Sequence, residues 1–127
     1  MKVLLLLVSV LSLISIQAQE LDCNRFKTGN FIMEDPNTGQ NIIKRTDSTQ
    51  IEYLPNLGIK IELNAKWQDD CTLILTLHEI LENPNNHEIG DFVLISEVIE
   101  TTQDFYVMRS YIEGQDFIMT RKFQKID

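Results

Sequence analysis

Two histidines set among acids, two cysteines and a surplus of carboxylates are the residues of this 127-residue chain best able to do chemistry. His78-Glu79-Ile80-Leu81-Glu82, followed by His87-Glu88, comes closest to a catalytic string. A zinc-protease helix carries its second histidine four residues after the first, so that both imidazoles share one face. Glu82 stands in that place and Pro84 follows too closely for a secure helix, so no metal is expected. Ser48, Ser96 and Ser110 lack the Gly-x-Ser-x-Gly setting of an activated nucleophile. Asp69-Asp70 and the Glu97/Glu100 pair read as solvated faces rather than the opposed acids of a glycosidase. Glu34-Asp35 and Asp47 do not have the spacing of a calcium loop. The expectation is a protein without catalytic residues or cofactor, and not an enzyme.

Cys23 and Cys71 are the only cysteines. Two thiols cannot build a four-ligand zinc site, and neither lies in a Cys-x-x-Cys redox motif. One structural disulfide is expected, contributing on the order of 4 kcal/mol through closure of a loop of about 49 residues.

The start of the chain supplies the oxidising compartment that such a bond needs. Lys2 precedes an apolar run from Val3 to Ile16, interrupted only by serines, and Gln17-Ala18-Gln19 ends it. These are the parts of a secretory signal peptide, and the run is too short to span a bilayer comfortably. Cleavage is expected after Ala18, giving a signal segment 1–18 and one domain, 19–127. Glu20-Leu21-Asp22 before Cys23 is no lipid-attachment site, so the product is expected to be secreted or periplasmic, without a membrane span.

Loss of Lys2 leaves ten of the eleven basic residues against nineteen acidic ones, a net charge of −9. That excess repels phosphate backbones and makes nucleic acid an unsuitable partner.

The elements that must position these groups read as strands. Ile59, Ile61, Leu63, Ala65 and Trp67 alternate with Lys60, Glu62, Asn64 and Lys66, the period of a half-buried strand. Strands are also expected at 28–34, 41–46, 49–54, 71–78, 91–100, 105–112 and 117–124. Between them lie turn residues such as Pro55-Asn56-Leu57-Gly58, Asn83-Pro84-Asn85-Asn86 and Glu113-Gly114-Gln115. Leu73, Leu77, Ile80 and Leu81 also fit a helical stripe, but Thr72 and Thr76 favour strand to about His78. Eight short antiparallel strands with short links imply an all-β, up-and-down barrel.

Cys23, Phe26, Lys27, Gly29-Asn30-Phe31, Trp67 and Cys71, with the strand count, resemble small exported lipocalin-like (calycin) barrel proteins of Gram-negative bacteria. Chains of this type sometimes carry a topoisomerase IV label, yet this acidic sequence has neither an ATP-binding loop nor room for a DNA-cleavage domain. The resemblance implies a Gly-x-aromatic opening to the first strand, here Gly29 and Phe31 with phenylalanine in place of tryptophan. It also implies an arginine of the last strand packed against that ring, for which Arg121 is the candidate.

The barrel interior, or a ligand site within it, is expected to hold Phe31, Tyr53, Trp67, Phe105, Tyr111, Phe117 and Arg121. So many large side chains favour a largely filled interior. Val93 and Ile95 are expected to face outward and, with Tyr106 and Met108, to form an interaction surface. In the opposite phase of the 105–112 strand, Tyr106, Met108 and Ile112 would face inward and leave Arg109 in water. The functional expectation is a barrel binding a small apolar ligand or an exported protein, the alternative being an inhibitor of a cationic hydrolase.

Overall fold

The computed structural model describes residues 20–127, so the expected signal segment lies outside the described residues. Eight strands follow one 3-10 turn, Cys23–Phe26: β1 (Gly29–Asp35), β2 (Gly39–Arg45), β3 (Thr49–Leu54), β4 (Ile59–Asp69), β5 (Thr72–Glu82), β6 (Val93–Thr101), β7 (Phe105–Ile112) and β8 (Ile118–Lys125). Each pairs antiparallel with its sequence neighbour, and β8 returns to β1 through pairs such as Ile32 with Gln124. The sheet is a closed, lipocalin-like up-and-down barrel in which no strand edge need be left along the closure.

Alternation decides what fills it. Ile59, Ile61, Leu63 and Ala65 are buried from β4, and Leu73 and Leu75 face them from β5. On β6 and β7 the inward set is Leu94, Ser96 and Val98 against Tyr106, Met108 and Ser110. Arg109 therefore faces water, where it pairs with Glu97 across the strands at 3.2 Å. This phase removes Tyr106 and Met108 from the expected interaction surface, because they are 0 % and 2 % exposed. Val93 and Ile95 do face outward and are half-buried.

The same phase corrects four aromatic assignments. Tyr53 lies outside with the Lys60 ammonium over its ring, and Phe105 lies outside beneath Lys122. Tyr111 is 42 % exposed, and Phe117, in the loop before β8, is 67 % exposed. Large aromatic residues were expected to fill the barrel, but each of these is out of phase with the inward positions of its strand or beyond the strand's end.

The strand expected to stop near His78 continues to Glu82. Its pairing with β4 slips between Lys60 and Ile61 and again between Glu62 and Leu63. These bulges, not a helical turn, produce the mixed periodicity of residues 77–81.

One end of the barrel is closed. There the 3-10 turn lays Phe26 into the interior, fully buried, and Cys23–Cys71 ties the turn to the β4–β5 connection, with Cα atoms 5.4 Å apart. Phe26, Phe31, Tyr106 and Phe123 form the aromatic plug. Tyr106 meets Phe31 edge-on at 5.3 Å and stacks on Phe123 at 4.8 Å, arrangements that suit ring quadrupoles. At the other end lie the β1–β2 and β3–β4 turns. Gly39 is needed there because its φ of +79° is a left-handed conformation that strains any residue with a Cβ.

Candidate ligand cavity

The interior is packed at the plugged end and leaves a cavity of about 190 Å³ toward the other. Met33, Leu54, Leu75, Leu94, Met108, Met119 and Phe123 supply an apolar wall. Among the wall's polar groups are Arg45, Gln50 and Glu52 near the floor and Asp35 and Arg121 toward the open end. Each comes from a residue in phase with its strand's inward apolar positions: Arg45 with Ile43, Glu52 with Leu54, and Arg121 with Phe123.

Arg45 is the centre of the floor. Its guanidinium, 2 % exposed, donates from Nε to Gln50 Oε1 (2.7 Å), from Nη1 to the Phe26 carbonyl (2.8 Å) and from Nη2 to the Tyr106 hydroxyl (2.8 Å). It also lies 5.1 Å from the Phe31 ring centre and 5.8 Å from that of Trp67. The arginine over the Phe31 ring is thus Arg45 of β2 rather than Arg121 of β8. Arg121 sits toward the opposite end, where Nε donates to Asp35 Oδ2 at 3.1 Å.

Gln50 relays the polarity onward, since its Nε2 donates to Glu52 Oε1 at 2.7 Å. Burial raises the Glu52 carboxyl above the ordinary glutamate value, and the Gln50 hydrogen bond and the Arg45 charge only partly oppose it. Glu52 thus holds its proton to a higher pH than an ordinary glutamate does. Asp35 behaves oppositely. Burial raises its pKa, but hydrogen bonds from the Asn37 and Thr38 backbone amides and from Arg121 outweigh that and hold it below the ordinary range. Higher on the wall the Ser96 and Ser110 hydroxyls bond each other at 2.7 Å, so neither is left unpaired.

Of the expected interior residues, Phe31, Trp67 and Arg121 point inward and Tyr53, Phe105, Tyr111 and Phe117 do not. Only Arg121 of this set lines the cavity. Trp67 is half-buried at the plugged end, and its indole N–H is buried with no hydrogen-bond partner among the described residues. Arg45, Gln50 and Glu52 were not foreseen. Their phase in Asn41-Ile42-Ile43-Lys44-Arg45 and Gln50-Ile51-Glu52-Tyr53-Leu54 is the signal that could have found them.

Apolar walls with a few convergent polar groups are the usual makeup of a small-molecule site. No protein family, curated protein or solved structure matches this chain. Among the described residues no helix is long and apolar enough to cross a membrane.

Proposed function

We propose that this protein is an exported, non-enzymatic binding barrel that holds one small, largely apolar molecule in the cavity lined by β1–β3 and β5–β8. The supporting observation is the cavity's polar floor. Burying the Arg45 guanidinium costs several kcal/mol, and a barrel selected only for stability would fill that position with an apolar side chain. Here the two ends of the Arg45–Gln50–Glu52 relay differ. Arg45 is bonded on all three nitrogens, whereas Glu52 lines the cavity with one oxygen bonded to Gln50. A ligand with an apolar body and a single hydrogen-bonding group directed at Glu52 suits this surface.

Size narrows the class. The cavity's 190 Å³ is below the roughly 300 Å³ at which drug-sized pockets begin, and above the about 150 Å³ that encloses benzene. Ligands of one ring, or a short branched chain, fit that interval.

Native mass spectrometry of protein purified from its own source without denaturation tests the reading. The expected spectrum shows an added small-molecule mass that denaturation releases and that Leu94→Trp, which fills the cavity, abolishes. A bare chain that takes up no small apolar compound would count against it.

One observation favours a protein partner as a second reading. Ile74, Ile95, Tyr111 and Ile118 are consecutive cross-strand neighbours on the outer face of β5–β8, with exposed Phe117 beside them. Contiguous apolar surface of this kind marks interaction sites. A co-purifying exported protein lost on Ile95→Lys, with the cavity empty, would favour this reading.

A further inference from the structure

We propose that Glu62, His78 and Glu79 form a surface site for a zinc-class divalent ion, separate from the barrel cavity. Successive residues of a regular strand point to opposite faces, so His78 and Glu79 would ordinarily be divided between wall and solvent. The bulge prevents this. Leu63 is opposite Leu77 and Glu62 is opposite Glu79, so His78 is the extra residue on β5. Both His78 and Glu79 are consequently exposed, beside Glu62 on the outer face. One ligand atom from each residue, an imidazole nitrogen and two carboxylate oxygens, lies within 4.8 Å of the others.

Among the described residues, no ion pair to Glu62 or Glu79 is formed. Glu62 has Ile51 opposite it on β3 and Glu79 opposite it on β5. Lys60, the next outward residue on β4, is committed to Glu82 at 3.6 Å. Pairing of β5 with β6 ends at Thr76 with Val93, which leaves the far side of His78 free of a neighbouring strand. Elsewhere Asp35, Glu97 and Asp70 each have a basic partner, among the described residues.

The donor set selects the ion. An imidazole nitrogen suits zinc, copper or nickel, whereas calcium and magnesium take oxygen ligands. Tetrahedral zinc bonds of about 2.0–2.2 Å put ligand atoms about 3.4 Å apart, so these surface side chains need close by at most about 1.4 Å from their 4.8 Å limit. Three protein ligands leave a fourth position for water. No histidine four residues along a helix is needed here, because Glu62 comes from across the sheet.

Zinc chloride titrated into the disulfide-bonded protein, followed by the imidazole proton resonances, tests the assignment. The expected result is a saturable shift of His78 at one zinc per chain, with His87 unmoved and an equal concentration of calcium without effect. Glu62→Gln and, separately, Glu79→Gln should each weaken binding at least tenfold while leaving the melting temperature near that of the parent. Absence of saturation, a response shared equally by His87, or binding indifferent to both glutamine variants would overturn the assignment. Should one glutamine variant unfold, the other and His78→Gln decide the outcome.

Discussion

Replacing Arg45 by methionine removes the charge and keeps much of the volume. Three acceptors then lose their donor: Gln50 Oε1, the Phe26 carbonyl and the Tyr106 hydroxyl. An unsatisfied buried acceptor costs about 1–3 kcal/mol, and the hydroxyl and amide can recover part of that by re-pairing. Relief of the guanidinium's desolvation opposes the loss, while breaking a buried charged network by deleting one member generally costs about 3–5 kcal/mol. The expected net is about 3 kcal/mol, a fall of roughly 12–24 °C in melting temperature for a domain of this size. Urea and thermal unfolding followed by far-ultraviolet circular dichroism measure it, with Arg109→Met as the comparison. Arg109 belongs to an exposed pair with Glu97, whose removal costs within about 1 kcal/mol. Arg45→Lys should recover only part of the loss, because a compact ammonium does not reproduce the guanidinium fork. An Arg45→Met protein as stable as Arg109→Met would refute the clamp.

Three further outcomes are read by the same unfolding measurements. Burial raises the folded-state pKa of Glu52, so the folded chain holds that proton to higher pH than the unfolded one. Its ionisation subtracts stability as pH rises from the unfolded value to the folded one, and Glu52→Gln should match the parent near about pH 4 and exceed it at neutral pH. Denaturant midpoints across that range check it, a less stable variant at neutral pH being the contrary result. Asp35 has the opposite sign: its lowered pKa gives stability present above the ordinary aspartate value and lost as pH falls through the folded value. Asp35→Asn, which keeps the turn's acceptor but loses the charge against Arg121, should cost about 1–2 kcal/mol at neutral pH and nothing in acid, as measured by the same midpoints. Cys71→Ala should lose up to about 4 kcal/mol, detected as a lowered melting temperature with unchanged strand content.

How far the sequence discloses the fold depends on whether each strand keeps its period. Ile59–Trp67 is readable because every second residue is inward and the strand is wet on its other face. Residues 78–82 are not, because two register shifts place five successive residues in solvent and erase the alternation. The aromatic misassignments have a different origin. Ring size favours burial but does not set phase, and Phe105 and Tyr111 share their phase with the charged Arg109. Arg45 and Glu52 illustrate the converse, charges that follow their strands' inward phase because hydrogen-bond partners await them. The disulfide was legible from two cysteines outside any Cys-x-x-Cys motif in a chain with a signal-like start. The cavity was not, since its volume depends on how side chains from separate strands meet.

The cavity's occupancy can be read from three methyl groups. Met33, Met108 and Met119 all line it. Carbon-13 methyl spectra of methionine-labelled protein, recorded while one-ring and short branched-chain compounds are added, test the binding claim directly. The expected result is a saturable shift of all three methyls with at least one compound, lost in Leu94→Trp. Methyls that stay fixed throughout, in a protein whose fold is intact, would contradict a ligand site inside the barrel.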